Sequence, residues 1–161
     1  MPSFDIVSEI NMQEADNAVN QTLKEIEGRY DFKGSKSELI WDKKEINLLA
    51  EDEYKIGAIK DILQTKFHRR GIDMRSLNFG KVEEAGGRML RQKITLAQGL
   101  DKEKAKEITS FLRDSKLKIQ PQVADEKVRV SSKSIDTLQE AMTLLRSKDF
   151  GIPLQFNNMR S

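Results

Sequence analysis

A single order of segments, run through twice, constrains the fold more than any other feature of the chain. From Phe4 to Ile10, Phe4, Ile6, Ser8 and Ile10 alternate with Asp5, Val7 and Glu9, the period of a strand. Ala15, Ala18, Val19, Thr22, Leu23 and Ile26 follow at helical spacing, and Gly28 marks a stop. "ELIW" and "EINLLA" flank Asp42-Lys43-Lys44 and read as a hairpin. Ile56, Ile59, Ile62, Leu63, Lys66 and Phe67 then share one helical face, ending at Gly71 before a weaker strand, "IDMRSLNF". The order returns with "QKITLAQ", a helix from Asp101, and a hairpin of "KLKIQPQV" and "KVRVS". A helix over about 134–147 and the strand "IPLQF" complete it.

Each half reads β-α-β-β-α-β. Gly71-Ile72 recurs as Gly151-Ile152, which supports an internal repeat. This element order predicts an α+β fold of two ferredoxin-like sandwiches in tandem, each an antiparallel sheet with two helices on one face. The expected division is a first domain over 1–82, a glycine-containing linker over 83–90, and a second domain over 91–161. Either first strand could complete either sheet, so the pattern admits both ordinary pairing and exchange of first strands.

Charge separates the two halves. Residues 1–86 carry 13 basic and 17 acidic side chains, and residues 87–161 carry 15 basic and 9 acidic. The second half is therefore the one expected to attract a polyanion. Cysteine is absent, which excludes disulfides, thiol catalysis and thiolate metal sites. "MPSFDIVSEI" lacks the basic and apolar segments of a signal peptide, and no apolar run reaches the roughly 20 residues of a membrane span. The expectation is a cytoplasmic protein with no membrane partner.

Catalytic candidates are few. His68 is the one histidine, in a basic helix end where a cation suits the helix dipole. Glu83 and Glu84 have no partner at a spacing that would share a proton, and Gly86-Gly87 lacks the pattern of a phosphate loop. No enzyme, cofactor or metal is expected. In the second half, Ile94, Leu96, Leu117, Ile119, Val128, Val130, Leu154 and Phe156 should face the helices. The outward set then includes Lys93, Lys118, Lys127 and Arg129, a basic surface without the aromatic platform of RNA-recognition domains. These four are the candidate RNA contacts. The outward positions of the first half are acidic, with Asp5 among them, and their sign predicts packing on that basic face. Basic residues also gather at "HRRGID", "GGRMLRQ" and "FNNMR".

The least ordinary connection is "GRYDFKGSKSEL", Gly28 to Leu39, with two aromatics and a pair of cations around a carboxylate. Tyr30 and Phe32 could close the end of the core, with Gly34 supplying an unusual backbone angle. The corresponding connection of the second half, "RDSKLKI", manages without any aromatic residue.

"PSFDIVSE", "RYDFKG", "HRRGID", "GGRMLRQ", "DEKVRV" and "PLQFNNMR", in this order along the whole chain, resemble the YajQ family of small bacterial cytoplasmic proteins. The resemblance implies tandem RNP-like (ferredoxin-like) domains and binding of a nucleotide, with cyclic di-GMP, ATP, GTP or RNA linked to different members. It points to a non-enzymatic nucleotide-binding protein, with cyclic di-GMP reception and a regulatory role as the leading reading. RNA binding through the basic half and a protein-interaction adaptor are the alternatives. Arg29, Tyr30, Phe32 and Lys33 are the first candidates for the nucleotide, followed by Arg69, Arg70, Arg88 and Arg91.

Overall fold

Apolar residues at alternate positions can pair into sheets in more than one way, and the chain adopts the exchanged one. A computed structural model describes residues 1–161. It contains strand β1 (Ser3–Val7), helix α1 (Met12–Gly28), strands β2 (Glu38–Trp41) and β3 (Glu45–Ala50), and helix α2 (Glu53–Arg69). Strands β4 (Leu77–Phe79), β5 (Glu83–Ala85) and β6 (Met89–Leu96) follow, then helix α3 (Lys102–Asp114). Strands β7 (Gln120–Ala124) and β8 (Lys127–Ser131), helix α4 (Ile135–Arg146) and strand β9 (Gln155–Arg160) complete the chain.

Two antiparallel sheets result, ordered β7-β8-β1-β9 and β2-β3-β6-β4, with β5 also paired to β6. Both orders are those of a ferredoxin-like sandwich, with the first strand of the motif between the third and the fourth. In one sheet that place is taken by β1, which precedes α1. In the other it is taken by β6, which precedes α3. The first strands are therefore exchanged. One compact unit is Met1–Glu9 together with Gln98–Ser161, and the other is the continuous stretch Ile10–Ala97.

These units cut across the contiguous division into 1–82 and 91–161. The stretch 83–90 is not a linker either. Glu83–Ala85 pairs with Met89–Arg91, and Gly86, Gly87 and Arg88, all at positive φ, make the turn between them. Glycines that read as a flexible join here serve a tight hairpin. The charge asymmetry disappears with the redrawn boundaries. The discontinuous unit carries 12 basic and 11 acidic residues, the continuous one 16 and 15.

Each unit has its own core. Ile46, Leu48, Ile59, Leu63, Phe67 and Ile94 are almost wholly buried in the continuous unit, and Phe4, Ile6, Ile108, Val130 and Leu138 in the other. Helix starts follow ordinary capping: Asn11, Asp52, Asp101 and Ser134 each accept a backbone N–H of the first turn. Asp5 does not belong to an acidic face packed on a basic one. It sits beside Arg129 across the β1–β8 ladder, so opposite charges meet as neighbours within one sheet.

Candidate functional site

The geometry of the Arg29–Gly34 turn starts from the end of α1. Arg29 leaves the helix in an extended conformation, Tyr30–Phe32 form a single 3-10 turn, and Gly34 takes φ +77°, a left-handed angle that favours glycine. The turn sends its two rings in opposite directions. Phe32 is 7% exposed and joins the core, closing it as a large apolar side chain should. Tyr30 is 90% exposed. The ring open to a ligand is Tyr30's, and Phe32 holds the turn in place.

Charge within the turn is arranged as tightly. The Arg29 guanidinium donates to both carboxylate oxygens of Asp31, Nε to Oδ1 at 2.9 Å and Nη2 to Oδ2 at 2.7 Å, and lies 5.6 Å from the centroid of the Phe32 ring. The Tyr54 hydroxyl, at the start of α2, donates to Asp31 Oδ2 at 3.3 Å. Asp31 is held below the usual carboxylate range, first by the Arg29 hydrogen bonds, and Arg29 is raised by the same contact. The fork uses two of the five guanidinium N–H donors, which leaves three for another acceptor. Lys33 is exposed and has no ion pair.

The chain beyond the turn is pinned by Glu51. Its Oε1 accepts from the Ser35 hydroxyl, the Lys36 backbone N–H at 2.9 Å and the Lys55 ammonium at 3.3 Å. These contacts, the Ser35 hydroxyl first, hold the Glu51 carboxyl at about 2. A loop fixed at both ends presents Tyr30, Arg29 and Lys33 without first having to be ordered.

Arg69 and Arg70 do not join this group. Arg70 follows the end of α2 and pairs with Glu14 at 3.4 Å, and Arg69 is exposed beside it. Tyr54 lies at the opposite end of α2, whose 17 residues span about 25 Å. Arg88 sits at the tip of the β5–β6 hairpin. Arg91 projects from the open face of the sheet, with Glu83 3.9 Å away, into a cleft of about 530 Å³ shared with Lys93 and Glu45. Arg69 and Arg70 thus stand apart from the turn, and all eight nucleotide candidates belong to the continuous unit.

The four candidate RNA contacts are divided as well. Lys93 belongs to the continuous unit, where it pairs with Glu45 at 3.4 Å. Lys127 and Arg129 are turned onto Asp5, at 3.4 and 2.9 Å. Only Lys118 stands without a carboxylate. Tyr54 and Glu51 carry weight that the sequence reading did not give them. They lie 23 and 16 residues from the side chains they meet, with no local signal.

The chain matches the family model described as nucleotide-binding protein YajQ-like, over residues 2–160. It belongs to that family. It is 70% identical over 161 residues to a nucleotide-binding protein of Bdellovibrio bacteriovorus, covering 100% of both chains. It is 56% identical over 160 residues to a nucleotide-binding protein of Geotalea uraniireducens and 55% identical to one of Trichlorobacter lovleyi, with 99% of each chain covered. All six motifs that resembled the YajQ family fall within the matched span. No helix is long and apolar enough to cross a membrane.

Proposed function

We propose that this YajQ-like protein is a non-enzymatic receptor for a guanine nucleotide, cyclic di-GMP in the first instance. The Arg29–Gly34 turn is its ligand site, and its output goes to a regulatory protein. The observation that carries the reading is the 90% exposed ring of Tyr30, set between two cations on a turn fixed at both ends. A base stacks on that ring. The free N–H groups of Arg29 match a phosphate or the O6/N7 edge of guanine, and the Lys33 ammonium supplies a second positive charge. The only carboxylate in the turn, Asp31, is kept ionised by Arg29 and orients the guanidinium. It is a weak proton acceptor, which favours binding over catalysis.

Calorimetric titration with cyclic di-GMP, GTP, ATP and a short RNA tests this. Cyclic di-GMP should bind more tightly than millimolar, about −4 kcal/mol. Tyr30→Ala should lose about 1–3 kcal/mol of that affinity, the usual worth of a base stacked on an aromatic ring. Unfolding free energy in the same variant should stay within about 0.5 kcal/mol of the parent, as for an exposed side chain. RNA binding that falls steeply with salt would point instead to a polyanion surface. Failure of every nucleotide to bind would return the turn to architecture and leave the adaptor reading.

A further inference from the structure

The two units share one framework, and a fixed offset of 82 residues relates β2, β3 and α2 to β7, β8 and α4. Under it the helix caps Asp52 and Ser134 coincide, as do the buried pairs Ile46 and Val128, Leu48 and Val130, Ile56 and Leu138, and Leu63 and Leu145. The ladder pairs Glu38↔Leu49 and Gln120↔Ser131 coincide too. Two residues beyond those pairs, in register, the continuous unit has Lys36 opposite Glu51. The discontinuous unit has Lys118 opposite Lys133.

In the continuous unit an anion fills this position: the Glu51 carboxylate, held by the Ser35 hydroxyl, the Lys36 N–H and Lys55. In the discontinuous unit both of these positions are lysines, exposed and without an acidic partner. Both line an open cavity of about 360 Å³ together with Ser131, Ser134 and Thr137, and with apolar walls from Met1 and Ile119.

We propose that this cavity is an anion site that takes a phosphate monoester. The phosphate stands where the Glu51 carboxylate stands in the other unit. Its two negative charges match the two ammonium groups, its oxygens match the hydroxyls, and the apolar wall accepts a small organic body on the ester. The start of α4 adds a favourable dipole, but the site rests on the paired lysines and the filled counterpart. It does not depend on the reading of the Tyr30 turn, and it lies in the other unit.

Amide NMR spectra of the full chain, titrated with inorganic phosphate and with phenyl phosphate at constant ionic strength, test the proposal. Saturable shifts should appear at 118–120 and 131–137, with phenyl phosphate the tighter of the two. Lys118→Gln with Lys133→Gln should weaken binding by about tenfold or more, and Tyr30→Ala should leave it unchanged. Lys133→Glu, which restores the arrangement of Lys36 and Glu51, should abolish binding and raise the thermal midpoint. Shifts no larger than those given by chloride, or phosphate binding undiminished in the folded Lys133→Glu variant, would overturn the assignment.

Discussion

A fragment spanning Ile10–Ala97 should fold alone with one cooperative transition, whereas Gln98–Ser161 should stay unfolded until a Met1–Glu9 peptide is supplied. The continuous unit contains every strand of its sheet, β6 included. The other unit depends on β1, which pairs with both β8 and β9 and buries Phe4 and Ile6 completely and Val7 to 6% exposure. Burying each such side chain contributes about 1.5–3 kcal/mol. Their sum rivals the whole stability of a domain this size, at about 0.05–0.15 kcal/mol per residue. A fragment of residues 1–82 holds β1 without its partners and lacks β6, so it should be unfolded by circular dichroism. A cooperative transition in 1–82 together with none in 10–97 would contradict the exchanged topology.

Asp5→Ala should destabilise the discontinuous unit by about 1–3 kcal/mol, the cost of lost hydrogen bonds to charged partners that stay partly in water. The carboxylate is 3% exposed and receives Arg129 Nε at 2.9 Å, Asn158 Nδ2 at 3.0 Å and the Lys127 ammonium at 3.4 Å. The Arg129 hydrogen bond, above all, lowers the Asp5 carboxyl to about 2. A carboxyl depressed on folding stabilises the fold above its unfolded value, and that contribution fades as pH falls toward the folded one. The parent should therefore lose about 2 kcal/mol between roughly pH 4 and pH 2, a loss missing from the variant. Denaturant midpoints measured across that window report the difference directly. Identical acid profiles for parent and variant would remove Asp5 from this role.

Much of the fold was legible because period and turn chemistry agreed locally. The hairpin around Asp42-Lys43-Lys44 stands where alternation places it, and α1 stops at Gly28, whereas the first strand of the second hairpin begins at Gln120, not at Lys116, and extends to Ala124. The exchange was not legible, since β1 and β6 carry similar apolar alternation and either satisfies the same core. Strand β5 was missed because two glutamates and two glycines resemble a solvated join, and only the register with β6 reveals a hairpin. "IPLQF" was placed too early: Pro153 is buried outside the sheet, and the ladder begins at Gln155. In the candidate site, the chemistry of the Arg29–Gly34 turn was visible, but its division of labour was not. The wholly apolar Phe32 is the ring expected inside, but spacing does not show that Tyr30, two residues earlier, is left 90% exposed. Nor could spacing show that Arg69 and Arg70 lie a helix length away, since the fold alone sets that distance.

Within the discontinuous unit the Gly99 N–H donates to the Ser8 carbonyl at 2.6 Å, which joins the segment that precedes Ile10–Ala97 to the one that follows it. The continuous unit is thus strung on a closed loop between β1 and α3, and this sets an order during synthesis. The ribosome releases β1 first, yet its neighbours β8 and β9 come last. At about 5–20 residues per second, the apolar strand waits roughly 8–30 s for a sheet to enter, while Ile10–Ala97 is already able to fold. Newly made chains should therefore be most prone to aggregate, or to borrow a strand from a neighbouring copy, in the interval before β9 emerges.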